Sequence, residues 1–322
     1  MVSAETWLNR LDGDIEDPFP SKLHDKSSKV PNEVKKSILN YLKSDDEVIL
    51  TSSGTEAINH ALKGLAFRYK DPGRILLSQR APIALRNTTF WLRRKGWNVA
   101  TLEEGGNAEI IAIEMVDHET GGIIDLKAIR DKHPHATLIV EASAAVGRID
   151  FSNQEIDILS MGFDHFGALV IKRGLRIDPL IHGGGEQDGR RGGHLPSMLF
   201  SEDIFSKNNI EELDAILVNT ATEYGFHINS DRKRAPGILN IKLPGISAEA
   251  VLVDLASKGI YMSSSSGCTA STGMPSKVLT SMGLSEDEAL SSIRISISKE
   301  NSVEEITHGL KILDEIVQGF QS

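Results

Sequence analysis

The 322-residue chain has one cysteine, Cys268, set in the run SSSSGCTAS. Buried cysteines keep apolar company, so one among serines, glycine and threonine is expected on an accessible loop where thiolate chemistry is available. The competing reading is a tolerated loop residue. A lone thiol excludes an internal disulfide and any multi-cysteine metal site, and no metal centre is expected. In SSIRISI, Arg294 interrupts an apolar strand. A guanidinium is expensive to bury unpaired, so Arg294 either faces solvent on an edge or meets an acid from protein or substrate.

Two further stretches have chemical content. In VILTSSGTEAINHALKG a strand runs into Gly54 and Thr55 at the start of a helix, with Ser53 and Glu56 spaced as a capping box. Free amides at such a helix start form an anion site, whereas a capped turn that binds nothing has the same spacing. IHGGGEQDGRRGGHLP is glycine-dense around Arg190 and Arg191. It reads either as oxyanion recognition by guanidinium or as a flexible surface loop.

These residues need elements to hold them. Between Glu47 and Lys172, the runs EVILTS, RILLS, WNVATL, EIIAIEM, TLIVEA, DILSM and GALVIK alternate with amphipathic segments, which predicts a mostly parallel sheet covered on both faces. After Pro236 the rhythm becomes that of a small α+β unit: GILNIKL, SAEAVLVDLASKG, IYMSS, a helix opened by Pro275, SSIRISI and a closing helix. Ser285 with Glu288, and Ser302 with Glu305, mark helix starts. The expected division is residues 1–220, a large α/β unit ending in a connecting helix, and 221–322, a small α+β unit carrying the cysteine loop. A net charge of −10 disfavours nucleic acid as a partner. The absence of a long apolar run or a signal-like N-terminus leads to the expectation of a cytoplasmic protein without membrane insertion.

Taken in order, TSSGTEAINHALKG, AVGRID, GGGEQDGRRGGHLP, RAPGILNI, SSSSGCTAS, PSKVLTSMGLS and SSIRISIS followed by NSVEEI resemble the class V aminotransferase group of fold-type I pyridoxal-phosphate enzymes. Within it, they are similar to cysteine desulfurases of the NifS/IscS kind. The resemblance implies a fold-type I PLP-dependent transferase architecture and a place in iron–sulfur cluster assembly. It puts Gly54 and Thr55 at the cofactor phosphate, Arg191 at a cofactor or vestigial anion site, and Glu141 at the acid facing the pyridine nitrogen. Arg294 matches the group that binds the substrate carboxylate, and Cys268 the persulfide-forming nucleophile.

Other positions depart from that pattern. Pro82 stands where the family stacks a histidine on the ring, Ala144 replaces a glutamine, Asp117-His118 an asparagine pair, and Glu141 is longer than the family's aspartate. No lysine lies between Lys132 and Lys172, and His165 falls at the position of the aldimine lysine. A histidine moves protons but does not hold an aldehyde as lysine does. The expectation is a homologue without pyridoxal phosphate, a pseudoenzyme that accepts or relays sulfur through Cys268 or serves as a regulatory subunit. Its rivals are an active desulfurase or lyase using a non-standard or partner-supplied lysine, and a structural scaffold. Expected partners are a second copy or an active desulfurase, with the glycine-rich loop reaching the neighbour's phosphate site, and a sulfur-acceptor or scaffold protein.

Overall fold

Alternation inside the apolar runs decides how the large unit packs. In strand β1 (Glu47–Thr51), Val48 and Leu50 enter one core and Ile49 another. The same split recurs in β4 (Ile110–Glu114), where Ile111 and Ile113 oppose Ile110 and Ala112. A strand buried on both faces needs cover on both, which is why the runs are continuously apolar. The computed structural model describes residues 20–152, 154–195, 205, 209–243, 245–264 and 274–321.

The large sheet has seven strands in the order β1-β7-β6-β5-β4-β2-β3, with β2 at Arg74–Leu77, β3 at Asn98–Thr101, β5 at Thr137–Glu141, β6 at Ile158–Gly162 and β7 at Gly167–Ile171. Strands β3, β2, β4, β5 and β6 run parallel, and β7 is antiparallel to both β6 and β1. Helix α1 (Pro20–Leu42) packs Val34 and Ile38 into one core, with Leu126 at the start of α4 (Leu126–Lys132). Helices α2 (Gly54–Ala66) and α3 (Ile83–Arg93) cover the other face. All seven strands follow the apolar runs; α1 went unread in the sequence.

A second, four-stranded sheet has the order β10-β11-β9-β8, comprising β8 (His227–Ile228), β9 (Ile238–Lys242), β10 (Ser263–Ser264) and β11 (Ser292–Ser296). Helices α5 (Ile210–Glu223), α6 (Ala248–Ser257) and α9 (Val303–Gln321) pack on it. Helix α5, read from the sequence as the end of the large unit, buries Ile210, Leu213, Leu217 and Ala221 in this second core. Further along the chain, Ala235 and Ile238 return to the first core, so the two cores are not divided at a single point of the sequence. Two short helices, α7 (Lys277–Ser281) and α8 (Glu286–Leu290), lead into β11, and α7 is capped by Ser276, so Pro275 lies outside it. The Ser285–Glu288 capping box and the reciprocal Ser302–Glu305 bonds are formed.

The start of α2 corrects the expected Ser53–Glu56 box. Ser53 Oγ accepts the Glu56 amide at 3.2 Å, but the Glu56 carboxylate turns away, accepts the Ser52 amide and hydroxyl, and pairs with Arg191 Nε at 2.5 Å. The glycine-rich loop is thus fastened to its own chain: Arg190 pairs with Glu47, and the Gln187 side chain bonds both Leu50 N and O at 2.8 Å.

Breaking a buried ion pair leaves an uncompensated charge and costs about 3 to 5 kcal/mol. Arg191→Met is expected to lose that much in urea unfolding, and Arg191→Met combined with Glu56→Gln to regain part of it. His60, fully buried in α2, has its pKa lowered by burial to about 4. A histidine depressed when folded binds protons preferentially when unfolded, so stability is whole above pH 6.5 and falls as pH drops toward 4, by about 3 kcal/mol at most. Urea unfolding between pH 7 and 4 is expected to show this loss, with a shallower decline in His60→Leu.

Candidate functional site

Loops leaving the carboxyl ends of β1, β5 and β6 meet the second unit around a cleft of about 930 Å³. This is the edge where parallel α/β sheets place ligands. The cleft brings together Gly54, Thr55, Pro82, Glu141, Ala144, His165 and Arg294. Arg191 is not among its lining residues: its guanidinium is taken by Glu56 and by the carbonyls of Gly192 and Gly193. Cys268 lies outside the described residues.

One wall is set by a close backbone approach. A Cβ on Gly54 would stand 2.9 Å from the Gly162 Cα, so only glycine lets the α2 start meet the end of β6. Ser143 Oγ accepts the Gly162 amide at 2.7 Å, joining the loop after β5 to the same point. Strands β6 and β7 then close through Phe163, Asp164, His165 and Phe166. Gly162 faces Gly167 across the ladder, the Phe163 amide donates to the Phe166 carbonyl at 2.8 Å, and the two rings stack at 4.5 Å. A turn this short carries Asp164 and His165 to the cleft and has no lysine.

Glu141 ends β5 with 6% of its surface exposed, and its Oε1 accepts the Ser143 amide at 2.8 Å. Burial raises its pKa above the ordinary carboxylate range, against the pull of the Ser143 bonds. Pro82 supplies the N-cap of α3 without a side-chain bond, so no ring with a polar edge faces the cleft there.

Arg294 lies on β11, an interior strand between β9 and β10, so the edge reading does not hold. Its Nη1 donates to the His118 carbonyl at 3.1 Å, crossing from the second unit to the first. His118 lines the cleft, burial lowers its pKa, and its Nε2 is 3.9 Å from Glu119 Oε1. Burial raises Glu119 to about 8, and its Oε2 accepts the Ser276 hydroxyl. The turn is braced by Asp117, which accepts the Glu119 amide at 2.8 Å and the Thr120 hydroxyl at 2.9 Å. Arg80 stands 3.9 Å from Asp117 and forks onto Asp231 of the second unit.

The sequence reading assigned nothing to Arg148 or Lys299, both of which line the cleft. Arg148 Nη1 donates to the carbonyls of Pro236 and Ile297, each at 3.0 Å, fastening the two units together. Gly237, at φ +79°, leaves no room for a Cβ beside that nitrogen. The signal for Arg148 was present as a single cation in the small-residue stretch ASAAVGRID. Among the described residues no group of three or more His, Cys, Asp or Glu side chains is placed to hold a metal, and no helix is long and apolar enough to cross a membrane.

No protein-family model matches the chain. It is 30% identical over 317 aligned residues to a cysteine desulfurase IscS of Methanosarcina thermophila, covering 86% of this chain and 78% of the relative. It is 31% identical over 316 residues to a putative cysteine desulfurase IscS 1 of Bacillus subtilis, covering 85% and 83%. A solved NifS-like protein superposes with a TM-score of 0.80 at 25% identity, over 92% of this chain and 90% of that one. With this cleft at the carboxyl edge of a seven-stranded sheet and relatives of this identity and coverage, the chain belongs to the IscS/NifS cysteine desulfurase family.

Proposed function

We propose that this family member accepts and relays sulfur and does not extract it from free cysteine. The observation that carries the reading is the β6–β7 turn, whose four residues Phe163 to Phe166 include no lysine. The family resemblance brings the expectation of pyridoxal phosphate, and this side-chain set does not fit its covalent attachment. The lysine is missing from the turn, Pro82 offers no stacking ring, and Glu141 is pushed toward its neutral form. Lys299, the lysine that lines the cleft, follows β11 in the second unit.

Sulfur relay asks less of the site. The Cys268 thiolate attacks the outer sulfur of a donor persulfide, the donor S–S bond breaks, the donor leaves as a thiolate, and no net electrons are exchanged. The reading includes a dimer formed through the large unit, in the cytoplasm, serving iron–sulfur assembly. Its most direct rival is an active desulfurase or lyase using a non-standard or partner-supplied lysine, which the relatives' names favour.

Borohydride reduction of the purified protein followed by peptide mass spectrometry is expected to yield no phosphopyridoxyl-lysine. Such an adduct on a cleft lysine, alone or after mixing with an active desulfurase, returns the chain to the catalysts. Incubation with a persulfidated donor and alkylation is expected to add sulfur to wild type and not to Cys268→Ser, while free cysteine releases no sulfide. Equal sulfur on both forms removes the relay.

A further inference from the structure

Arg148 and Arg294 both line the cleft, and each is anchored by a single nitrogen to main-chain carbonyls: Nη1 of Arg148 to Pro236 and Ile297, Nη1 of Arg294 to His118. A guanidinium has five donors, so most of each fork is not used by these bonds. Among the described residues neither arginine has an acid within ion-pair distance. Asp214, the acid that bears on Arg148, is taken bidentately by Arg234. Arg294 Nε and His118 Nδ1, both on residues of this wall, are buried without a hydrogen-bond partner. Buried polar atoms left open in a native protein call for an account, and a ligand group is the one that fits a cleft.

The two arginines also act on each other. Burial lowers the Arg148 pKa, the charge of Asp214 opposes this, and the charge of Arg294 adds to it. Like charges held in one cleft are relieved further by a ligand that brings negative charge to both. The acids of the lining do not do this: Glu141 is buried at the end of β5 and pushed toward neutrality, while Asp164 and Glu300 are exposed to water. Nothing in the fold requires Arg148 to be charged. Two carbonyls are satisfied by any donor, yet the position holds the one side chain whose fork binds a carbonyl on one arm and an oxyanion on the other.

From this arrangement we infer that the cleft binds a small dianion, either an acid with two carboxylates or a phosphate ester, and that Arg148 is the residue that selects the second negative charge. Arg294 meets one anionic group, as in a site for a simple carboxylate, and Arg148 supplies the neighbouring positive charge. This rests on the reading that covalently held pyridoxal phosphate does not fill the cleft.

The test is calorimetric titration of the cofactor-free full chain with succinate, ethyl phosphate and butyrate, which are similar in size and differ in charge. Succinate, ethyl phosphate or both are expected to bind at least about tenfold tighter than butyrate, the gain of one further charge contact. Arg148→Met keeps the aliphatic stem and is expected to erase the advantage while leaving butyrate within about twofold. Arg148→Lys keeps the charge and a donor for the carbonyls but not the fork, so it is expected to lose at least about threefold of the advantage, and it serves if the methionine variant does not fold. Equal binding of all three probes, no binding, or an advantage that survives Arg148→Met with folding intact overturns the inference. A borohydride-fixed cofactor in the same preparation overturns the underlying reading instead, whatever Arg148 does.

Discussion

The site depends on one backbone contact, the meeting of Gly54 at the start of α2 with Gly162 at the end of β6. Side chains at either position would push the two elements apart, since each Cβ would fall within about van der Waals contact or closer of the other's main chain. Because the contact is made, the first amides of α2, the Ser143 hydroxyl and the tight β6–β7 turn share one wall. At that end the cleft offers a ligand main chain, the Ser143 hydroxyl and the side chains of the turn, Asp164 and His165 among them.

The opposite wall comes from the second unit and is tied on by cations. Arg148 reaches out from the loop after β5, Arg294 reaches back from β11, and Arg80 clamps Asp231. Each crossing uses a guanidinium on a carbonyl or a carboxylate, geometries that fix angle as well as distance. The turn Asp117–Thr120 joins them, because its residues receive Arg294, face Arg80 and, through Glu119, hold the Ser276 cap of α7. Domain placement and cleft shape are therefore the same problem in this molecule.

Much of this was legible in the sequence, and the reasons differ by element. The seven strands of the large sheet announce themselves because burial on both faces forces unbroken β-branched runs. Helix α1 was missed because its core contacts, Val34, Ile38, Leu39, Tyr41 and Leu42, are interleaved with charged and polar residues. Helix α5 was legible as a connecting helix, but not the core it enters, since periodicity tells which face is apolar and nothing about which sheet receives it. Gly54, Thr55, Glu141, His165 and Arg294 line one cleft. Arg191 does not join them, because its guanidinium is consumed by Glu56, and a pairing between distant segments leaves no mark on local spacing. Arg148 escaped for the same reason: its meaning lies in two carbonyls far along the chain.

The β6–β7 hairpin also sets the terms on which a lysine could be introduced here. Its four-residue connection is already stapled by the Phe163–Phe166 ring stack and a cross-strand amide, and Gly162 and Gly167 at its base leave no slack. Exchanging His165 for lysine alters a side chain and leaves the reach of the loop unchanged. Lengthening the loop means giving up the stack that closes it. A longer connection would thus have to replace both aromatic positions, so the unit of change at this turn is a segment rather than a residue.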